Sequence, residues 1–451
     1  MSERELTGYP SIDKPWLKYY SEEAINAVMP QKTVYESIFD VNSKYLDDIS
    51  LIYFGNKITY RTVFKNVEKA KKAFVANGVK KGDKVIMFMS ATPELLYSLL
   101  ALCRIGAVAN MINPVFTVEQ IRERINETNA EMMFVLDQLY GKVQPILNDL
   151  CVKKTVVIPV CNEMPGITKL IASVKLKRNI EYNDAVIKWS EFIKNGKTIE
   201  NSSDAVYEKD VPLVIVYSSG TTGASKGIVL TNDGINATIS HYLSPDFPYK
   251  RGDKFLQMIP VWFSTGVVLS LLMPLCIGIT IILEPAFSKE NFAKGIRKNK
   301  PQMTLAPLSL WIYAMESKEL NNIDLSEMIY PFTGGELVLP RVESTINSQL
   351  RDRNCKSVLL KGYGMCELGG TVATDSLLKH KFGPTGYPMK GVTVAAFDMI
   401  TNKELQYGER GEIRVDSPAH MKEYFNNLEA TNEYFFKDEK GVLWGCTGDI
   451  G

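Results

Sequence analysis

The chain has 451 residues, of which 45% are hydrophobic and 23% are charged, and its formal net charge is +1. This is ordinary globular composition, and a chain of this length exceeds what a single hydrophobic core fills, so two or three subdomains are expected. The near-zero net charge gives no long-range attraction to nucleic acid or to anionic lipid, and neither is predicted as a partner.

The seven cysteines are scattered, odd in number and without a Cys-x-x-Cys pair. A disulfide framework or a zinc site is therefore not expected, and a reducing, cytoplasmic location fits better. The N-terminus is charged and lacks the apolar stretch of a signal peptide. The longest apolar run, 267–283, is interrupted by Pro274 and Gly278 and is shorter than the ~20 residues of a membrane span. We interpret it as a buried helix over 267–275 followed by a buried strand over 278–283, without stable membrane insertion.

Helix and strand patterns alternate through the first half of the chain. Residues 60–77 carry apolar side chains mostly three or four positions apart, which predicts an amphipathic helix. The elements predicted after it are a strand at 84–90, a helix at 93–104, a strand at 107–112, a helix at 118–127, a strand at 131–136 and a strand within 151–160. Such alternation is typical of parallel sheets covered by helices. The polar, lysine-rich segment 162–208 predicts surface connections and short helices instead.

A strand predicted at 211–217 leads into a loop of small residues, hydroxyls and one lysine. Small residues let backbone N–H groups approach an anion, hydroxyls can donate to phosphate oxygens, and Lys226 adds a positive charge. The candidate polyphosphate-binding residues are Ser218, Ser219, Gly220, Thr221, Thr222, Gly223 and Lys226. A Walker A loop is excluded, because Ser225 precedes and Gly227 follows the lysine. A flexible linker is the alternative, and the lysine inside a patterned glycine frame disfavours it.

Beyond the loop, the alternation resumes with a helix from about 232 and a strand at 254–259. Shorter alternating runs at 392–398 and 411–415 indicate a small twisted β unit near the end of the chain.

This loop resembles the phosphate loop of the adenylate-forming superfamily, which includes acyl-CoA synthetases, aryl-CoA ligases, luciferases and peptide-synthetase adenylation domains. The segment 362–370 resembles the Tyr-Gly-x-Thr-Glu motif of the same family. The resemblance implies that Tyr363 stacks on adenine, that Cys366 contacts the α-phosphate, and that Glu367 holds Mg²⁺, as suits a hard cation. Cys366 stands where the family has threonine, and a thiol is the weaker hydrogen-bond donor. The further nucleotide-binding residues implied are Gly334, Gly335, Glu336, Gly362, Gly364, Met365 and Asp449, the last on the ribose hydroxyls.

The segment 259–266 falls where acyl- and aryl-CoA ligases often carry Pro-x-Phe-His-x-x-Gly. Phe263 occupies the histidine position, and an apolar ring there can wall an acyl channel but cannot donate a hydrogen bond to a carboxylate. The candidate substrate-pocket residues are Trp262, Phe263, Thr265 and Gly266. For Trp262 or Phe263 taken singly, packing in the hydrophobic core is as good an explanation as a place in the substrate pocket.

The implied function is ATP-dependent activation of a small-molecule carboxylic acid to acyl-AMP with release of pyrophosphate, followed by transfer to coenzyme A. Adenylation needs no general base, since a carboxylate is already ionised near neutral pH, so positioning and electrostatic stabilisation are the catalytic tools. Lys226, Thr222 and Glu367 are the candidate catalytic residues, with ATP, Mg²⁺ and coenzyme A as cofactors. An amino-acid adenylation domain and a non-catalytic nucleotide-binding module are the alternatives, and a homodimer is left open.

The resemblance implies an α/β fold with two packed α/β subdomains, mostly parallel sheets and a small β-barrel-like subdomain. We expect 1–205 to form the first α/β subdomain, 206–380 the second with the phosphate loop, and 381–451 the small β subdomain. The sequence stops at Gly451, just before the hinge of the family, so the C-terminal lid domain is expected to be absent and activity to be impaired. A shortened piece of a longer protein is favoured over a naturally short one.

Overall fold

The computed structural model describes residues 6–218, 225–245, 247–383 and 385–451. Within these ranges the strands are β1 (Ile49–Tyr53), β2 (Asn56–Thr59), β3 (Lys84–Phe88), β4 (Val108–Met111), β5 (Met132–Leu136), β6 (Lys154–Ile158), β7 (Val186–Lys188), β8 (Pro212–Tyr217), β9 (Gly227–Thr231), β10 (Lys254–Gln257), β11 (Thr280–Leu283), β12 (Met303–Ala306), β13 (Tyr330–Gly334), β14 (Leu360–Tyr363), β15 (Ala373–Thr374), β16 (Tyr387–Pro388), β17 (Thr393–Phe397), β18 (Glu412–Asp416), β19 (Glu423–Tyr424), β20 (Phe435–Lys437) and β21 (Leu443–Ile450).

The α-helices of the described ranges are α1 (Pro10–Asp13), α2 (Glu22–Asn26), α3 (Val34–Asn42), α4 (Tyr60–Ala76), α5 (Pro93–Ile105), α6 (Val118–Glu127), α7 (Asp137–Val143), α8 (Gly166–Lys175), α9 (Trp189–Asn195), α10 (Asn232–Tyr242), α11 (Met273–Cys276), α12 (Lys289–Asn299), α13 (Leu308–Glu316), α14 (Pro340–Arg351) and α15 (Leu428–Tyr434). A π-helix, Thr265–Leu272, runs into α11. Short 3₁₀ turns lie at Pro15–Tyr19, Gln144–Asp149, Gly196–Thr198, Lys318–Leu320 and Cys366–Leu368.

Three sheets organise the described residues. The first sheet has the strand order β19-β9-β8-β4-β3-β5-β6-β7, and the second sheet has the order β16-β15-β14-β13-β12-β10-β11-β1-β2. From β8 to β7 in the first sheet, and from β14 to β1 in the second, all neighbouring strands are parallel. The small sheet, β17-β18-β21-β20, is antiparallel. The predicted mixed α/β architecture with parallel sheets is thus confirmed.

Helix α5 lies at the centre of the fold. Thr92 caps it by accepting a hydrogen bond from the Leu95 N–H, and Gly106 ends it in the left-handed conformation. Arg104 alone among its thirteen residues is not buried. A helix that is apolar on nearly all sides needs partners on all sides. The main hydrophobic core accordingly runs through α5 from the first sheet to the second.

Local signals predicted most of these elements. Thr59 caps α4, and Thr117 with Gln120 forms a capping box at α6, so both helices begin where the predictions placed them. The predicted buried helix at 267–275 is instead a π-helix followed by one turn of α-helix, because hydrophobicity locates a buried helix without fixing its hydrogen-bond pattern.

Two expectations need correction. The segment 162–208 contains more than surface connections, since β7 pairs with β6 and the side chains of Trp189 and Phe192 are buried in the main core. The predicted barrel-like unit is an open four-stranded sheet within the described residues, with β17 and β20 at its two edges.

The sheets also cross the predicted subdomain ranges. Strands β8 and β9, which lie in 206–380, belong to the first sheet, while β1 and β2, which lie in 1–205, belong to the second. The division into 1–205, 206–380 and 381–451 stays a prediction about domains. The exchange of strands shows that sheet membership is set by tertiary pairing and not by order along the chain.

Candidate functional site

A cavity of about 1000 Å³ opens at the carboxyl ends of the second-sheet strands. Its walls include the residues that follow β12, β13 and β14, the end of β8, and the carboxyl-terminal half of β21. In open α/β sheets this edge is the usual place for a ligand, because loops there can supply polar groups above a rigid sheet. The cavity lining brings together predicted nucleotide-binding residues from three parts of the chain. They are Ser218 and Lys226 of the phosphate loop, Gly334 and Gly335, and residues of the 362–370 motif.

The phosphate loop is closed at its base by a hairpin between β8 and β9. The Ser218 N–H donates to the Lys226 carbonyl at 3.0 Å, and the Lys226 N–H donates to Ser218 Oγ at 3.0 Å. Ser225 Oγ donates to the Ser218 carbonyl at 2.6 Å. Ser218 and Lys226 both line the cavity. The candidates Ser219, Gly220, Thr221, Thr222 and Gly223 lie outside the described residues.

Tyr424 connects the two charged groups of this end of the cavity. Its hydroxyl donates to Glu367 Oε1 at 2.7 Å, and Lys226 Nζ lies 4.8 Å from the centre of its ring. Burial, together with the neighbouring Glu367 carboxylate, raises the pKa of Tyr424, so its hydroxyl keeps the proton it donates. The sequence alone assigned no role to Tyr424. Strand β19 brings it here by pairing with β9 next to the phosphate loop.

The adenine and ribose candidates lie around the same cavity, although Tyr363 is absent from its described lining. Gly334, Gly335, Gly362 and Asp449 line the cavity. The Tyr363 hydroxyl donates to Asp449 Oδ2 at 2.6 Å, and burial with this hydrogen bond raises the pKa of Tyr363.

Glu336 is absent from the cavity lining formed by the described residues. Its carboxylate instead accepts hydrogen bonds from the N–H and the hydroxyl of Ser309, in the first turn of α13. That contact caps a helix and favours a structural role.

The turn after β14 leaves no room for side chains. A Cβ on Gly364 would lie 2.3 Å from the Gly370 carbonyl oxygen, which is far inside van der Waals contact. Beside it, Met365, Cys366 and Glu367 line the cavity. Burial raises the pKa of the Cys366 thiol. Cys366 therefore offers a neutral S–H where the resemblance implied a threonine hydroxyl.

The other end of the cavity is apolar. Phe255 and Met303 are register partners on β10 and β12, and Leu305 and Phe332 are register partners on β12 and β13. The apolar and aromatic residues of this end are Tyr242, Phe255, Leu269, Met273, Met303, Leu305 and Phe332. No Asp, Glu, Lys or Arg belongs to this set of described lining residues. Sequence reasoning missed all seven, because their apolar patterns look the same in a core as in a pocket.

Two of the four predicted pocket residues line the cavity, namely Phe263 and Thr265. Trp262 and Gly266 are absent from its described lining. Trp262 packs against the main core, and Gly266 lies where an added Cβ would come 2.0 Å from the Pro260 carbonyl oxygen. Phe263 thus fits the predicted channel wall, whereas Trp262 fits the packing alternative.

The donor set fits a cation held jointly with a nucleotide. Glu367 is a carboxylate in the cavity wall, with one oxygen engaged by Tyr424. Across the described ranges, no group of three or more His, Cys, Asp or Glu side chains could hold a metal ion by itself. Mg²⁺ commonly binds through one or two carboxylates together with substrate phosphates, and Glu367 lines the same cavity as Ser218 and Lys226 of the predicted phosphate loop.

Comparison with known proteins identifies the class. A family described as AMP-binding enzyme matches residues 38–425. The chain belongs to the AMP-binding enzyme family. Among curated relatives, a long-chain-fatty-acid–CoA ligase of Bacillus subtilis is 24% identical over 448 residues, covering 97% of this chain and 78% of the relative. A probable 4-coumarate–CoA ligase 3 of Dictyostelium discoideum is 26% identical over 453 residues, covering 96% and 77%.

Solved structures show the same fold. A long-chain-fatty-acid–CoA ligase from Archaeoglobus fulgidus matches with a TM-score of 0.82 and 21% identity, over 96% of this chain and 84% of that one. The N-terminal domain of FACL13 from Mycobacterium tuberculosis matches with a TM-score of 0.74 and 19% identity, over 93% of this chain and 96% of that one.

Proposed function

We propose that this chain carries the adenylation site of an AMP-forming acyl-CoA ligase that acts on a carboxylic acid with an apolar tail. The observation that carries the proposal is one cavity in which a nucleotide end, with Lys226, Glu367 and Asp449, continues into an uncharged apolar end. The names of the relatives point the same way, since they are ligases of fatty and hydroxycinnamic acids with coenzyme A.

The reaction divides into two transfers. The substrate carboxylate attacks the α-phosphorus of ATP, an acyl-phosphate bond forms, and pyrophosphate leaves. The sulfur of coenzyme A then attacks the acyl carbon and AMP leaves. Mg²⁺, when bound with the nucleotide, offsets the negative charge of the phosphates.

The residues of the chain supply position and charge. Lys226 stabilises the phosphates, Thr222 is proposed as a hydroxyl donor to them, and Glu367 holds the cation. The Tyr363 ring packs on the base, and Asp449 accepts from the ribose hydroxyls.

The apolar end favours an acyl substrate over an amino acid. A substrate ammonium buried in the pocket would need an acidic partner, because an unpaired buried charge is strongly disfavoured. The acidic residues of the described lining are Glu367 after β14, Glu412 on β18, Glu433 on α15 and Asp449 on β21. Strands β10, β12 and β13, which carry Phe255, Met303 and Phe332, contribute no acidic residue to that lining.

The test is carboxylate-dependent ATP–pyrophosphate exchange with a panel of fatty, aryl and amino acids, measured on this chain and on the full product of its gene. Exchange with fatty or aryl acids is expected. Lys226→Met should lower it by at least about 100-fold, as expected for loss of a preorganised charge on the transferring phosphate. Lys298→Met, an exposed lysine of α12, is the matched control and should change nothing.

Two results would overturn the proposal. Exchange with amino acids alone would assign the chain to the carrier-protein-loading adenylation domains. Absence of exchange with every acid in both proteins, while ATP binding is measurable by calorimetry, would leave a nucleotide-binding module.

A further inference from the structure

Helix α8 lies on the surface and makes almost no contact with the core. All ten of its residues are exposed except Ala172, which is partly buried against the main core. Among the exposed residues are large apolar side chains, with Ile167 78%, Leu170 68% and Val174 72% accessible. A helix of a globular protein normally turns such residues inward.

The apolar residues form one stripe. Ile167, Leu170, Ile171 and Val174 are spaced i, i+3, i+4 and i+7, which places them on a single face of the helix. Ala172, on a different face, makes the contact with the protein. The stripe therefore points away from the body of the molecule. Contiguous exposed apolar surface of this kind marks an interaction site.

Two hydrogen bonds attach the helix to neighbouring segments, one from Lys169 within it and one to Leu176 just after it. Lys169 Nζ donates to the Asn162 carbonyl at 2.6 Å, and Gln138 Nε2 donates to the Leu176 carbonyl at 2.9 Å. These contacts tie α8 to the segment before it and to α7. The apolar stripe is thus presented in a fixed orientation.

The charge within the helix and the five residues after it is positive, whereas Glu163 lies near Lys169 and Asp137 lies near Arg178. Residues 166–180 include Lys169, Lys175, Lys177 and Arg178 and contain no Asp or Glu. The chain-wide net charge of +1, which argued against an anionic partner, averages over this local excess. Cations beside an apolar helix face are the combination that binds an anionic lipid surface, with apolar side chains among the acyl chains and lysines at the headgroups.

We propose that α8 is an interfacial helix that docks the protein on an anionic membrane surface. Ten helical residues span about 15 Å, half of a hydrocarbon core, so the helix would lie in the interface and not cross it. In the described ranges, no helix combines the length and hydrophobicity needed to traverse a bilayer.

A second copy of the chain fits the apolar stripe of α8 less well than a lipid surface does. A symmetric dimer through α8 would place the same surface against itself. The four cations of 166–180 would then face one another with no acidic residue of that segment between them, and like charges across an interface oppose binding. An anionic lipid surface complements both the apolar stripe and its charge.

The experiment is flotation of the whole chain with vesicles through a density gradient. Two vesicle compositions are used, phosphatidylcholine alone and an equal mixture of phosphatidylcholine and phosphatidylglycerol. The protein should float with the mixed vesicles, at least 10-fold more than with the neutral ones, and less as salt is raised. Leu170→Ser with Val174→Ser should abolish flotation, and Lys175→Glu with Lys177→Glu should abolish the preference for anionic vesicles.

A matched control is Met399→Ser with Ile400→Ser, which removes two exposed apolar side chains from a turn of the small sheet. It should float like the unchanged protein. Circular dichroism checks that each variant is folded. Wild-type protein that remains at the bottom with both vesicle types overturns the proposal. So does sedimentation showing a dimer that the Leu170/Val174 variant dissociates, because the stripe would then bind a second copy.

Discussion

Tyr424 shows how one side chain can organise a charged site. Its ring lies beside Lys226 Nζ and its hydroxyl donates to Glu367, so a cation and a carboxylate are held at fixed positions around one aromatic group. Partners of metal-binding carboxylates orient them and tune their affinity. We therefore interpret Tyr424 as a positioning residue of the phosphate end.

Tyr424→Phe keeps the ring near Lys226 and removes the hydrogen bond to Glu367. Freed to rotate, Glu367 should hold Mg²⁺ less well, and the Mg²⁺ concentration needed for half-maximal ATP binding should rise about 10- to 100-fold. Calorimetric titration of ATP at several Mg²⁺ concentrations measures this. Tyr407→Phe is the control. It loses a similar hydrogen bond, from the Tyr407 hydroxyl to Asp13 and away from the cavity, and should leave the Mg²⁺ dependence of ATP binding unchanged. Equal Mg²⁺ dependence in both variants would contradict the role given to Tyr424.

His420 makes stability depend on pH. Burial lowers its pKa from 6.5 to about 4, so between these values the unfolded chain binds a proton that the folded chain does not. Stability is therefore lost as the pH falls through this window, and by linkage the His420 contribution from pH 7.5 to pH 5 is about 2 kcal/mol. His420→Gln should remove this contribution to the pH dependence of the unfolding free energy, measured by urea unfolding at pH 7.5 and pH 5. If the unfolding free energy of the variant differs between the two pH values as much as that of the unchanged protein, His420 is not the titrating group.

At the level of elements, β14 and the turn that follows it carry the nucleotide motif. Lys361, one residue before this motif, is buried, and its Nζ donates to Glu343 Oε1 of α14 at 2.6 Å. The Lys361 N–H also donates to Asp375 Oδ2 at 3.1 Å. Removing one member of a buried ion pair is costly because the partner charge stays buried. This cluster fixes the strand that carries Gly362 in the cavity lining and Tyr363, the hydrogen-bond donor to Asp449.

Gly364→Ala tests the close approach within that turn. The new methyl group would overlap the Gly370 carbonyl, so the turn must move, with a loss of about 1–3 kcal/mol in unfolding free energy and weaker ATP binding. Urea unfolding and ATP calorimetry measure both. Gly141→Ala is the control, since that glycine lies in α7 with nothing within 4 Å of an added Cβ, and it should be neutral or slightly stabilising. Matching behaviour of the two variants would contradict the packing described here.

At the scale of the whole molecule, the cavity exists because several elements end at the same edge. Strands β10, β12 and β13 supply much of its apolar lining, while Ser218, Lys226 and β21 contribute polar groups. A ligand with a charged end and an apolar end can therefore lie along it. This continuity predicts that the two ends can be changed separately.

Met303→Trp should shorten the apolar end. The larger ring would fill space beside Phe255, so exchange with long fatty acids should fall at least 10-fold relative to short acids, while ATP affinity stays constant. Overpacking costs about 1–3 kcal/mol of stability, which thermal unfolding would register. Met399→Trp, on the exposed turn after β17, is the control. Loss of ATP binding together with long-acid exchange would mean that the two ends are not separable.

Sequence alone determined most of the elements and predicted the residues of the nucleotide end. Apolar periodicity located α4, α6 and the parallel strands, and a short local motif predicted roles for Tyr363, Cys366 and Glu367, because these signals depend on neighbours in the chain. Only the tertiary structure decided which strands share a sheet, and that Tyr424 reaches Glu367 across 57 positions. The same holds for the apolar end, where Phe255, Met303 and Phe332 belong to the main core and also line the cavity. The physical reason is that an apolar pattern specifies burial, whereas the choice between a packed neighbour and an open space depends on where other elements end.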